Sequence, residues 1–267
     1  MSKFLKMNQT KIYFLFLPIY FHLMQKIISY PISLIALLIF LLALVFFHPI
    51  QWICFNLFGY QAHKKSVDYL NFVLLKIGHI LGTTYKVKNR ESIPKGVPII
   101  FVANHQSLYD IIAMIWFLRK FHPKFVSKKE LGKGVPSVSY NLRHGGSVLI
   151  DRKDPKQAVP MIKKLSEYIE LHKRSAVIFP EGTRSKNGHP KEFSHTGLKI
   201  LCKYAPNAYV VPISINNSWK LFKYGFFPLG LGNHLTFTVH KPLSVKDLSF
   251  DELMKQAEQA IVQGIIK

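Results

Sequence analysis

From Ile27 to Gln61 the chain carries no Lys, Arg, Asp or Glu, and that uncharged stretch constrains the fold more than any other. Its core, Ile32 to Phe47, is aliphatic or aromatic apart from Ser33. Read as a helix, Pro31 to Trp52 is about 33 Å long against ~30 Å of bilayer hydrocarbon, enough to span. Pro31 suits a first helical turn, whereas Pro49 is expected to kink or end the helix. No small-residue cleavage site follows, which argues against a removed signal peptide. The competing reading, a buried core helix of a soluble protein, is disfavoured by the length. An earlier apolar stretch, Ile12 to Phe21, is broken by Pro18 and bounded by Lys11 and Lys26, so it reads as interfacial. Lys3, Lys6, Lys11 and Lys26 precede the main segment and Lys64 and Lys65 follow it, so flanking charge does not orient it. The anchor is either one spanning helix or a helical hairpin that returns the chain to its starting side. The hairpin is preferred, because it leaves a basic domain against an anionic inner leaflet.

Charge and composition narrow the partners. Lys and Arg total 36 against 14 Asp and Glu, a formal charge of +22, which calls for an anionic partner. A hydrophobic fraction of 49% with 21 Phe points to membrane lipid rather than nucleic acid. No helix-turn-helix, zinc or RNA-recognition pattern accompanies the charge, so no nucleic-acid partner is expected. Cys54 and Cys202 lie far apart without ligand spacing, and there is no His-Glu-x-x-His pair; neither a metal nor another cofactor is expected.

After residue 63 the texture changes, dividing the chain into an anchoring segment, 1–63, and a domain, 64–267. Amphipathic helical patterns cover Asp68 to Leu81, Ser107 to Leu118, Gln157 to Leu171, Gly197 to Tyr204 and Asp251 to Ile266. Between them lie short β-forming runs: Tyr85 to Lys88, Pro98 to Ala103, Phe125-Val126, Val148 to Ile150, Ala176 to Phe179, Tyr209 to Ile213 and Leu235 to His240. Such alternation implies an α/β fold, a mixed, largely parallel sheet flanked by helices.

Two loops carry candidate chemistry. In Asn104-His105-Gln106-Ser107-Leu108-Tyr109-Asp110 a buried strand gives way to a helix. If Ser107 caps that helix, Asp110 falls in its first turn and its carboxylate can reach back to the His105 ring. That would orient the imidazole as a general base. A plain capping box, Ser107 with Asp110, is the structural alternative. The second loop, Phe179-Pro180-Glu181-Gly182-Thr183-Arg184-Ser185, leaves a strand where α/β folds place ligands. Gly182 permits close backbone approach, Thr183 offers a hydroxyl and Arg184 a fork suited to phosphate. A strand-ending turn with an exposed Glu–Arg pair would read the same way. A serine hydrolase is disfavoured, because no Gly-x-Ser-x-Gly elbow occurs.

Together these segments resemble the glycerophosphate acyltransferase superfamily, specifically its 1-acyl-glycerol-3-phosphate (lysophosphatidate) acyltransferases. The Asn-His-x-x-x-x-Asp block matches Asn104 to Asp110. A second block matches Lys129-Glu130-Leu131, Pro136, Gly146 and Ile150-Asp151-Arg152; a third matches Phe179 to Arg184; a fourth matches Val211-Pro212-Ile213. The blocks occur in family order over roughly residues 65 to 245. The resemblance implies a membrane-bound enzyme, and the basic charge of the domain leads us to expect it on the cytoplasmic face. It would move an acyl group from acyl-CoA or acyl-carrier protein to the free hydroxyl of lysophosphatidate. In that reading His105 is the base and Asp110 holds it, while Glu181, Gly182, Thr183 and Arg184 bind the acceptor phosphate or shape its pocket, with Arg152 a second cation. Another lysolipid acceptor, or a non-catalytic lipid-binding protein, is the alternative. Where relatives often carry lysine after the third block, this chain has Phe193-Ser194-His195-Thr196-Gly197-Leu198-Lys199, so Lys199 is a candidate replacement. The run Ile215-Asn216-Asn217-Ser218-Trp219-Lys220 is distinctive but suggests no mechanism.

Overall fold

The computed structural model describes residues 9–266, with side chains from Tyr20 onward. Lys3, Lys6 and the side chains of the stretch read as interfacial, up to Ile19, lie outside the described residues. Helix α1, Gln9–Ile80, runs through both Pro31 and Pro49; among the described residues its one non-helical position is Gly59, at φ 72 and ψ −167. Only glycine adopts that backbone without strain. The helix therefore does not end at Pro49, one of the two outcomes expected of that proline. Pro49 is exposed, and contacts on both sides hold the helix to the domain: His48 Nδ1 accepts from Ser137 N at 3.1 Å, and Asn56 Nδ2 donates to Tyr140 Oη at 3.1 Å. A missing hydrogen bond on the outer side of such a helix is tolerated as gentle curvature.

The bend at Gly59 folds α1 back on itself. Gln25 Nε2 donates to Leu231 O at 3.5 Å, while Leu81 O accepts from the adjacent Gly232 N at 2.9 Å. On a straight helix Gln25 and Leu81 would stand ~84 Å apart. The first arm is two-faced. Ser29, Ser33, Ala36, Ala43, Leu44 and Gln51 recur at helical spacing and are buried, while Leu34, Leu38, Leu42, Phe46, Leu57 and Phe58 are exposed. Small side chains in the stripe let the domain approach, and Ser33 Oγ accepts from Leu229 N at 2.8 Å. The second arm, after Gly59, buries Leu70, Leu74, Leu75 and Ile77 in the core. Among the described residues one helix is long and apolar enough to cross a membrane, and a narrow stripe of it packs on the domain.

Among the described residues the strands are β1 Thr84–Lys88, β2 Ile99–Ala103, β3 Pro123–Lys128, β4 Val148–Ile150, β5 Ser175–Ile178, β6 Tyr209–Asn216, β7 His234–Val239 and β8 Leu243–Ser244. Their order is β1-β7-β6-β2-β5-β3-β4, with β8 beside β6. From β6 through β2, β5 and β3 to β4 all pairings are parallel; β7 and β8 run antiparallel to β6. The mixed, largely parallel sheet is as the sequence implies. Along β2 alternate side chains enter opposite cores. Phe101 and Ala103 meet α1 and α2 (Leu108–Phe117); Ile100 and Val102 meet α4 (Pro155–His172), α5 (His195–Tyr204) and α6 (Phe250–Gln263). A further helix, α3 (Val138–His144), follows a Gly- and Pro-containing run and has no counterpart in the sequence reading.

Candidate active site

The loop from β2 to α2 is held by its own residues. Asn104 acts as a side-chain rung toward β6: its Nδ2 donates to Ile215 O at 2.8 Å and its Oδ1 accepts from Ile215 N at 2.7 Å. Ser107 caps α2, its Oγ accepting from Tyr109 N at 3.1 Å. Asp110 Oδ2 accepts from three donors, Gln106 N at 2.6 Å, Ser107 N at 2.8 Å and His105 Nδ1 at 2.9 Å. The capping role and the ring-orienting role, alternatives in the sequence, therefore belong to the same carboxylate. A carboxylate can only accept, so Nδ1 carries a proton and in the neutral ring Nε2 keeps the lone pair. Nε2 makes no hydrogen bond among the described residues, and the ring stacks on Phe179 with centroids 4.1 Å apart.

The loop after β5 is laced to the first. Glu181 Oε1 accepts from His105 N at 2.8 Å and Oε2 from Lys191 N at 2.9 Å, while Ser185 N donates to His105 O at 2.7 Å. Burial pushes the Glu181 carboxyl above its ordinary range, against the pull of those two backbone donors. Gly182, at φ 68, makes the turn, and Arg152 Nη1 lies 3.6 Å from where a Cβ on Gly182 would stand. Thr183 Oγ1 accepts from Lys191 Nζ at 2.7 Å. Arg184 is exposed on the same loop and forms no ion pair among the described residues.

So His105, Asp110, Glu181, Gly182, Thr183, Arg184 and Arg152 share one end of the sheet, at the carboxyl ends of β2, β4 and β5. Lys199 does not join them: its ammonium lies over the Phe250 ring, 5.6 Å from the centroid. Lys191 stands beside Thr183 instead. The sequence reading missed Lys191, although a lysine within ten residues of a phosphate-type loop is a usable signal. It also missed Gln106, whose Oε1 accepts from Ser218 N at 3.1 Å and whose Nε2 donates to Gly188 O at 3.0 Å. No cluster of three or more His, Cys, Asp or Glu among the described residues is placed to hold a metal ion. The assembled parts are a ring nitrogen with a free lone pair, a carboxylate that orients it, and cations a loop away. Such a set can take a proton from an acceptor hydroxyl beside an anionic group.

Comparison with known proteins places the chain. A family model described as Acyltransferase matches residues 84–216. The 1-acyl-sn-glycerol-3-phosphate acyltransferase of Helicobacter pylori is 38% identical over 126 residues, 46% of this chain and 50% of that protein. The Saccharomyces cerevisiae protein of the same name is 30% identical over 193 residues, 67% of this chain and 58% of its own length. The chain spans about half the length of the curated relatives it matches first. The crystal structure of PlsC, the 1-acyl-sn-glycerophosphate (LPA) acyltransferase of Thermotoga maritima, superposes with a TM-score of 0.72 at 26% identity, covering 90% of this chain and 95% of that one. The family match and the superposition place the chain in the acyltransferase family, among relatives named 1-acyl-sn-glycerol-3-phosphate acyltransferases.

Proposed function

We propose that the protein transfers a fatty acyl group from an acyl thioester to the free hydroxyl of 1-acyl-glycerol-3-phosphate, giving phosphatidate. The observation that carries this reading is the His105–Asp110 pair, with its free Nε2 beside the Glu181–Arg184 loop. Nε2 takes the hydroxyl proton as the oxygen attacks the thioester carbonyl. The C–O bond forms, the C–S bond breaks, and the imidazolium returns the proton to the departing thiolate. Asp110 keeps the ring in the required tautomer and stabilises its charged form. Arg184, Arg152, Lys191 and the Thr183 hydroxyl receive the acceptor phosphate; guanidinium forks suit it because charge-assisted bidentate bonds add geometry as well as energy. Glu181 shapes the pocket, since both its oxygens are committed to backbone N–H groups. The names of the relatives, each a 1-acyl-sn-glycerol-3-phosphate acyltransferase, support the same acceptor.

Residues 1–63 act as the membrane anchor and 64–267 as the acyltransferase domain, facing the cytoplasm. Support comes from the exposed apolar face of the first arm of α1 and from the charge of +22, which suits an anionic leaflet. Membranes containing the full chain, supplied with a panel of lysolipids and with acyl-CoA or acyl-carrier-protein thioesters, test the assignment. Product from lysophosphatidate is expected. Product only from an acceptor without a phosphomonoester would sink the acceptor while leaving acyl transfer intact; no product from any acceptor would leave a lipid-binding protein.

A further inference from the structure

The turn after β6, Asn216-Asn217-Ser218-Trp219, has no part in the acyl transfer described above, yet each of its side chains is committed to a different neighbour. Asn216 closes the end of α6: its Nδ2 donates to Gly264 O at 2.9 Å and its Oδ1 accepts from Ile266 N at 2.8 Å. Asn217, left-handed at φ 67, donates to His234 O at 3.1 Å. The Trp219 indole packs against Gly188 in the loop that follows Arg184. Ser218 alone reaches the histidine–carboxylate pair, its hydroxyl donating to Asp110 Oδ1, with both residues fully buried.

We propose that Ser218 is a positioning residue for the acyl transfer, fixing the Asp110 carboxylate so that Oδ2 faces the His105 ring; this rests on the reading of His105 as the base. Oδ2 is saturated by three donors, all from residues 105 to 107, which any chain with this motif supplies. Oδ1 has no such local supply: within the motif only the Ser107 hydroxyl approaches it, at 3.4 Å. A buried carboxylate oxygen short of donors is costly, and the group relieves the deficit by rotating or by exchanging its two oxygens. Either movement turns the imidazole. The Ser218 hydroxyl removes that freedom, from 108 positions downstream. Gln106 holds the hydroxyl in place, because its Oε1 accepts from both Ser218 N at 3.1 Å and Trp219 N at 3.4 Å. Its Nε2 meanwhile grips Gly188 O. Gln106 lies between His105 and Ser107, so the clamp and the base ride on the same few residues. The turn after β6 therefore completes the carboxylate that the β2–α2 loop leaves half satisfied.

The experiment uses the full chain in membranes, with Ser218→Ala, Ser218→Thr, Ser218→Cys and His105→Ala assayed side by side and the thermal melting of each followed. Ser218→Ala should lower kcat ~10-fold with KM for acceptor and donor within about two-fold, because the lost bond acts on the base and not on substrate. Ser218→Thr keeps the hydroxyl and should recover most of the rate; Ser218→Cys, a weak donor of similar size, should not. The acid limb of the kcat/KM profile should move to higher pH in Ser218→Ala, since a carboxylate stripped of a donor leaves more uncompensated negative charge beside the imidazolium. Glu181, the other titratable group against His105, is unchanged in these variants and cannot produce that shift. A folded Ser218→Ala or Ser218→Cys with wild-type kcat would overturn the inference, as would a lowered melting temperature with an unmoved acid limb. If Ser218→Ala does not fold, Ser218→Cys decides. Turnover retained by His105→Ala is a different failure, that of the base itself; an inactive His105→Ala beside a fully active Ser218→Ala condemns only the positioning role.

Discussion

The two ends of the sheet solve the problem of buried charge in opposite ways. At the carboxyl ends of β2 and β5 the charged groups are carboxylates, and neutral backbone N–H groups answer them: Gln106 and Ser107 on Asp110, His105 and Lys191 on Glu181. At the amino ends of β3 and β5 cations outnumber the one carboxylate, Asp68, which Lys64 takes as its partner. Lys124 is buried and makes no hydrogen bond or ion pair among the described residues; its ammonium lies 4.8 Å from the centroid of the Tyr60 ring, which Arg174 also covers at 4.2 Å. His63 beside them is buried with neither ring nitrogen partnered. Backbone donors fix direction as well as charge, whereas an aromatic face attracts a cation without fixing its proton geometry. The first arrangement is suited to holding a base in one orientation, the second to pinning the bend of α1 against the domain.

Removing the base tests that contrast most severely. His105→Ala should reduce turnover by at least ~10²–10⁴ while the protein stays folded, since general-base assistance is worth that much. Acylation rates and melting curves of the purified variant decide it, and near-wild-type turnover would empty the carboxyl end of its assigned chemistry. Glu181→Gln comes next. Its two backbone partners are both donors, so the amide NH₂ must face one of them and a bond becomes a donor–donor clash. A loss of ~10-fold in kcat/KM is expected, with full rate in Glu181→Gln showing that the lacing between the two loops is dispensable.

A smaller and more selective effect is expected at Lys191. Its ammonium on the Thr183 hydroxyl is exposed, so it serves an incoming anion more than the fold. Lys191→Ala should raise KM for lysophosphatidate several-fold, about the worth of one exposed charge-assisted contact, and leave kcat nearly unchanged. An equal effect on an acceptor without a phosphate would remove Lys191 from the phosphate site.

The contrast also explains what could be read from the chain beforehand. The carboxyl-end loop was legible because its decisive contacts span five residues or fewer: His105, Ser107 and Asp110 declare a strand end, a cap and an oriented ring in one short string. The buried strands β2 and β5 declared themselves as apolar runs bounded by turn formers. The Ser218 hydroxyl on Asp110 was invisible, being a contact between segments that only the pairing of β2 with β6 brings together. The sequence points to Lys199 rather than Lys191 because helical spacing does not show which way a loop folds back. Pro49 reads as a helix breaker, yet packing on the domain carries α1 through the proline and the turn comes at Gly59. The amino-end cluster draws on Tyr60, His63, Lys124 and Arg174, four positions with no shared motif.

That cluster yields the effect expected to be smallest on activity and clearest in pH. Burial, followed by repulsion from Arg174 and Lys64, lowers the Lys124 ammonium from 10.5 to about 7, with Asp68 pulling the other way. Between about 7 and 10.5 the unfolded chain then holds a proton at this site that the folded chain has released. Stability contributed by the site therefore rises with pH across that window and is least below it, where the folded protein must bury the charge. Lys124→Met replaces the ammonium with a flexible apolar side chain of similar length and removes the penalty. Melting temperatures should rise near pH 6, and the wild-type gain in stability between pH 7 and 10 should flatten in the variant. Turnover should not change, because Lys124 stands at the opposite end of the sheet from His105. A variant that melts lower at pH 6 would mean that Tyr60 and its cations hold the bend more firmly than burial opposes them, and the amino end would then count as an anchor built on charge.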